Sequence, residues 1–138
     1  MRRRDLILAM GALPLIASDT HSQTSRQFRV SIEGLSPGGV KRVVAPGRKI
    51  VHIVRRPHET QNAAVWDTNA EWLVVLASCT HQGCEPRPGV LADGGWRCLC
   101  HGSEFDLAGH VIKGPATEDL MRLPYSLKEQ WMTIHFHD

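Results

Sequence analysis

The residues of this chain that can do chemistry lie in two short segments. All four cysteines fall within 22 residues, in the hexapeptides 79–84 (Cys-Thr-His-Gln-Gly-Cys) and 98–103 (Cys-Leu-Cys-His-Gly-Ser). Each segment carries two thiols, one imidazole and one glycine. Two thiolates and two imidazoles form a soft donor set, and two glycine-containing loops can bring their tips together around one ion or cluster. The sequence therefore predicts a metal or redox centre held between two loops.

Structural zinc is the simplest occupant of such a site. Zinc ligands are typically spaced as Cys-x2–4-Cys and His-x3–5-His, whereas only one residue separates Cys79 from His81. Two cysteine and two histidine ligands would also leave two thiols without a role. The spacing therefore argues against zinc.

Around these loops the apolar pattern has the period of strands. Phe28, Val30 and Ile32 alternate with polar residues, and residues 50–54 form a largely β-branched run. Further strands are predicted at 72–77, 95–98, 110–113, 121–125 and 130–136, separated by turns rich in proline and glycine. Residues 58–66 could hold a short helix. These features predict a small antiparallel all-β domain.

The first 18 residues resemble an export signal. Three arginines and Asp5 precede an apolar run, residues 6–17. Twelve helical residues span about 18 Å, less than the roughly 30 Å of the hydrocarbon core of a bilayer. Residues 3–7 resemble the twin-arginine signal, which exports proteins that have already folded around a cofactor. We expect 1–18 to be a twin-arginine-like leader or an N-terminal membrane anchor, 19–26 a polar tether and 27–138 the folded domain.

Length and charge limit the remaining classes. A chain of 138 residues with a net charge of +2 and 42% hydrophobic residues suits one globular domain. Between Glu33 and Glu59 there are basic residues and no acidic ones. No aromatic stacking platform accompanies this basic stretch, so we expect a solvated sheet face and no nucleic-acid binding.

The two hexapeptides and their surroundings closely resemble the Rieske iron-sulfur proteins, and among them the Rieske subunit of ubiquinol-cytochrome c reductase and related cytochrome bc complexes. The similarity extends to framework segments at 54–56, 71–76, 94–96, 106–109, 114–116 and 123–125. It implies stacked antiparallel sheets with a cluster-binding subdomain at about 78–117. Rieske oxygenases and soluble ferredoxins share the ligand pattern but typically lack the second cysteine pair.

The resemblance implies one [2Fe-2S] cluster per chain. Cys79 and Cys98 would bind the buried iron, and His81 and His101 the exposed iron. Replacing two anionic thiolates with neutral imidazoles raises the reduction potential to about −150 to +300 mV, against about −400 mV for plant-type clusters. Such a potential is high enough to oxidise a quinol.

The resemblance also assigns roles beside the ligands. It pairs Cys84 with Cys100 in a disulfide, which suits an oxidising compartment. It makes the Ser103 hydroxyl a donor that tunes the potential. It places Gly114 and Pro115 in the loop that covers the cluster.

The function implied is that of a subunit, active only with its partners. His81 or His101 would hydrogen-bond a quinol, which loses one electron with a proton, and the electron would pass to a c-type cytochrome. The expected partners are b-type and c-type cytochrome subunits in the bacterial inner membrane, with this domain on the periplasmic side. If the leader is cleaved, the chain would be an exported periplasmic protein.

Three residues depart from the family pattern. Leu99 and Thr117 stand where prolines are common, and Phe105 where quinol-oxidising members usually have tyrosine. Phenylalanine cannot donate a hydrogen bond to a cysteine sulfur, so we expect a lower potential than in members with tyrosine. Phe105 and the short leader favour an alternative: the Rieske small subunit of another exported oxidoreductase, such as an arsenite-oxidase-like complex.

Overall fold

The computed structural model describes residues 26–57 and 71–136, and within them the protein is built from strands. These residues hold ten strands, one 3-10 turn at Pro46–Arg48 and no α-helix. In chain order the strands are β1 (Arg26–Ser31), β2 (Val40–Ala45), β3 (Lys49–Arg55), β4 (Trp72–Leu76), β5 (Arg87–Pro88), β6 (Trp96–Arg97), β7 (Glu104–Phe105), β8 (Val111–Lys113), β9 (Tyr125–Lys128) and β10 (Trp131–Phe136). The predicted all-β class is confirmed.

The strands form three antiparallel sheets, with the orders β1-β10-β9, β2-β3-β4 and β5-β6-β7-β8. No helix in the described ranges 26–57 and 71–136 is long and apolar enough to cross a membrane.

In the middle sheet, β2-β3-β4, the central strand β3 is buried on both faces. On β3, Val51 and Ile53 pack in one core with residues of β10. His52 and Val54 alternate with them on the opposite side of the strand, and Val54 packs in a second core with Trp96. Burial on both faces explains why residues 50–54 are almost continuously apolar. One face of the middle sheet therefore lies against the two loops.

The third sheet, β5-β6-β7-β8, has strands of only two or three residues. Trp96 pairs with Phe105 across β6 and β7, and both side chains are fully buried in the second core. A Cβ on Gly95 would collide with the main-chain oxygen of Phe105, so only glycine lets the two strands approach this closely. This sheet carries the second hexapeptide between β6 and β7.

One predicted strand was wrong. Instead of a strand at 121–125, the structure has a single bridge between Arg122 and Val75, and β9 begins only at Tyr125. Pro124 explains the break, because proline has no N–H with which to extend a ladder.

Other differences follow from length and composition. Strand β2 was not predicted, because basic residues obscure its apolar alternation. Strands β5 and β7 were not predicted either, because they are too short to show a period. The predicted helix at 58–66, the leader at 1–18 and most of the tether lie outside the described residues.

Candidate metal centre

Each hexapeptide folds into a loop that is closed by its own backbone. In the first loop, residues 79–84, the Cys79 N–H donates to the Cys84 oxygen and the Gly83 N–H to the Cys79 oxygen, both at 2.7 Å. The second loop, residues 98–103, repeats both bonds at 2.8 and 2.9 Å, from Cys98 to Ser103 and from Gly102 to Cys98.

Both glycines have positive φ, +80° and +85°, a conformation that residues with a side chain rarely adopt. The two loops therefore share the same closing hydrogen bonds and the same glycine conformation.

The two free thiols lie beneath the loop tips. Cys79 and Cys98 are 3% and 2% exposed and belong to the same apolar core. Burial raises the pKa of the Cys98 thiol, and interaction with the Cys79 thiol raises it further. The neutral form of the Cys98 thiol is thus favoured, and a bound cation would be needed to hold it as a thiolate.

The two imidazoles lie at the tips, His81 half-buried and His101 exposed. Their Nδ1 atoms are 3.2 Å apart, and the rings meet edge to face with centroids 4.7 Å apart. Metal–nitrogen bonds of about 2.0–2.1 Å to one shared ion would span this distance at roughly a tetrahedral angle. The donors therefore fit a centre with a buried sulfur side and an exposed nitrogen side.

The remaining cysteines join the loops covalently. Cys84 and Cys100 form a disulfide, with Cα atoms 6.5 Å apart and 16 residues apart in sequence. Their sulfurs lie within 4.8 Å of the Cys98 sulfur. Because a disulfide sulfur is no thiolate, this sulfur group is not a metal site in itself. The chain has four cysteines, so Cys79 and Cys98 are the available thiolate donors.

The segment after β8 is held to both loops. The Ser103 hydroxyl, fully buried, accepts a hydrogen bond from the Ala116 N–H at 2.9 Å. The Thr80 hydroxyl donates to the Glu118 oxygen at 2.6 Å. Gly114 and Pro115, exposed, begin this segment. Residues 114–118 therefore form a third wall beside the two loops.

Comparison with known proteins decides the family. The sequence model of the Rieske [2Fe-2S] domain family matches residues 35–124, which include both loops and the third wall. The chain belongs to the Rieske [2Fe-2S] domain family. The family carries one [2Fe-2S] cluster, and the donor set of this Rieske domain suits it: two thiols and two imidazoles on opposed loops.

Relatives of this Rieske domain are named as Rieske or iron-sulfur subunits of the cytochrome b-c1 complex and of ubiquinol-cytochrome c reductase. It is 51% identical over 67 residues to the ubiquinol-cytochrome c reductase iron-sulfur subunit of Blastochloris viridis, covering 49% of this chain and 37% of the relative. It is 50% identical over 62 residues to a mitochondrial cytochrome b-c1 complex Rieske subunit of Nicotiana tabacum, covering 45% of this chain and 23% of the relative. The matched parts thus span 23% to 37% of these relatives' length.

A solved structure supports the fold. The plasma membrane Rieske protein of the cyanobacterium Synechocystis is similar with a TM-score of 0.52 and 27% identity, over 69% of this chain and 84% of that one.

Sequence analysis missed a polar contact beneath the loops of this Rieske domain. His52 belongs to no motif in the sequence, yet it is fully buried and bonded to Trp96 and Glu85. The available signal was a polar residue inside a β-branched run. Phe105 is fully buried in the core that holds both thiols, so position 105 lies beside the centre.

Proposed function

We propose that this chain is the Rieske subunit of a quinol-oxidising cytochrome bc complex. Cys79 and Cys98 would hold one iron, and His81 and His101 the other. When bound, a [2Fe-2S] cluster of this type supplies a one-electron acceptor of raised potential. The observation that carries the proposal is the pair of imidazoles at the protein surface above two buried thiols.

The exposed imidazoles are the groups that a substrate can reach. Cys79 and Cys98 are almost fully buried, whereas His101 is exposed and His81 half-buried. With its Nδ1 atom facing that of the other imidazole, each ring would offer its Nε2 atom to a quinol oxygen. A ring that binds a metal ion through Nδ1 has only Nε2 left for proton transfer, and when Nε2 is deprotonated it can take up the proton that leaves the quinol with the electron. The electron would then pass to a c-type cytochrome partner.

The proposal is tested by purifying the tagged full chain from membranes in mild detergent. Co-purification of b-type and c-type haems, with quinol-dependent reduction of cytochrome c, would support it. Replacing His101 with alanine should abolish reduction without detaching the chain from its partners. A complex without haem, or full quinol oxidation by the His101→Ala complex, would contradict it.

A second function is favoured by one residue. Phe105 offers no hydroxyl to a cluster sulfur, as expected for a subunit that relays electrons without oxidising a quinol. The alternative is the small subunit of an exported arsenite-oxidase-like complex. In the same purification a molybdenum-containing partner and no haem would identify it.

The missing hydroxyl can be restored. Phe105→Tyr should raise the reduction potential, since a new donor would withdraw charge from a cluster sulfur. A redox titration of the cluster-loaded chain measures this. An unchanged or lower potential in the tyrosine variant would refute the role of position 105.

We also propose residues 1–18 as a twin-arginine-like leader or anchor, 19–26 as a tether and 27–138 as the domain. This would place the domain on the periplasmic side of a bacterial inner membrane. Changing Arg3 and Arg4 to lysine should keep the chain in the cytoplasm, as fractionation would show; continued export would contradict a twin-arginine route.

A further inference from the structure

His52 is one of two fully buried polar side chains in the described ranges, and the other is Ser103 of the second loop. It lies on β3, on the side opposite Val51 and Ile53. A polar group without exposure is costly unless its hydrogen bonds are made. The partners of this ring therefore matter.

Those partners fix its chemical form. The indole N–H of Trp96, which can only donate, lies 3.1 Å from His52 Nδ1. Nδ1 must therefore be the unprotonated nitrogen. The proton of the neutral ring is then on Nε2, which donates to Glu85 Oε1 at 3.3 Å. Burial lowers the pKa of His52, consistent with a neutral ring.

Glu85 is itself held in place. Arg42 donates to both of its carboxylate oxygens, from Nε at 2.6 Å and from Nη2 at 2.9 Å. Hydrogen bonding to Arg42 is the main cause of the lowered pKa of Glu85. Arg42 lies directly opposite His52 in the register of β2 and β3. The carboxylate is thus anchored to the middle sheet from two neighbouring strands.

The two partners of His52 belong to different loops. Glu85 directly follows Cys84, the last residue of the first loop, and Trp96 lies two residues before Cys98, the first residue of the second. One buried ring therefore ties together the bases of both loops and fixes them to β3. The Cys84–Cys100 disulfide connects the same loops at a different point.

We propose that His52 is a positioning residue for the metal centre. Its neutral ring, bonded to Trp96 and Glu85, sets the spacing and orientation of the two loops and hence of their four donor side chains. The effect of this role on electron transfer rests on the proposed function. The arrangement of the loops itself does not depend on that function.

The two bonds can be removed separately in the full chain. The His52→Asn variant can still accept from Trp96 but does not reach Glu85, and the His52→Gln variant can still donate to Glu85 but offers Trp96 no acceptor at the same place. The His52→Phe variant fills the space and makes neither bond. We expect His52→Phe to lose the cluster about tenfold faster than wild type, as for other residues that orient metal ligands, with the two amide variants between.

The second readout is the electron paramagnetic resonance spectrum of the reduced cluster. His52→Phe should shift or broaden its lines, because the ligand geometry changes. The control is Ile134→Val, which removes a buried methyl group from the other core and lowers stability without touching the loops. If His52→Phe keeps the wild-type spectrum and loses the cluster no faster than Ile134→Val, the proposal is overturned.

A third readout distinguishes failure of the His52 positioning role from failure of the proposed function. In the metal-free chain, His52→Phe should shift the amide resonances of residues 79–84 and 98–103, and Ile134→Val should not. If wild type binds no [2Fe-2S] cluster, the proposed function fails, and these shifts alone decide the positioning role. Unchanged loop resonances in His52→Phe would overturn it.

Discussion

The hydrogen bond between Ser103 and Ala116 gives a stability prediction that can be worked from the structure. Ser103 is fully buried and Ala116 is 4% exposed. Replacing Ser103 with alanine removes the oxygen that accepts from the Ala116 N–H at 2.9 Å. A buried donor left without an acceptor costs about 1–3 kcal/mol. At about 4 °C per kcal/mol for a domain of this size, Tm should fall by roughly 4–12 °C.

Thermal unfolding of the metal-free chain, followed by circular dichroism, measures this effect free of cluster loss. The matched control is Ser126→Ala on β9, where the serine is exposed; an exposed change should alter stability by less than about 0.5 kcal/mol, or about 2 °C. A Ser103→Ala chain that unfolds within about 2 °C of wild type would refute the reasoning. The Ala116 N–H would then need no serine as its acceptor.

Two further outcomes are expected from the metal-free chain. Replacing Cys84 and Cys100 with serine opens a loop of 16 residues and should lower the unfolding free energy by about 3 kcal/mol in urea titrations; wild type that unfolds at the same urea concentration with and without reductant would contradict this. Because the pKa of folded His52 lies below its ordinary 6.5, the unfolded chain binds more protons, so stability should fall as pH drops through about 6.5. His52→Gln should show a shallower fall over this range, and equal slopes for the two chains would count against a neutral buried ring.

Local sequence patterns predicted much of the fold. Alternation in residues 28–32 and the β-branched run at 50–54 mark β1 and β3, since the period of two is a property of the strand itself. The boundary of β9 depended instead on Pro124, and the two-residue strands β5 and β7 exist only through their pairing with β6. Strands that short contain no period to read.

The sequence by itself determined the kind of centre. Two hexapeptides with thiol, imidazole and glycine at matched spacing specify a pair of self-closing loops, because the bonds that close each loop lie within six residues. The donor types follow directly from residue identity. These are local properties, so the sequence predicts them without knowledge of the fold.

Beyond the disulfide, which the family resemblance implied, only the tertiary structure decided what holds the two loops against each other. His52 and Glu85 are 33 residues apart, and Trp96 and His52 are 44 apart, so no local pattern connects them. They meet because β3 turns one side toward the loops, and because a buried polar ring must find partners wherever the chain brings donors and acceptors. The pairing of Ser103 with Ala116 has the same origin.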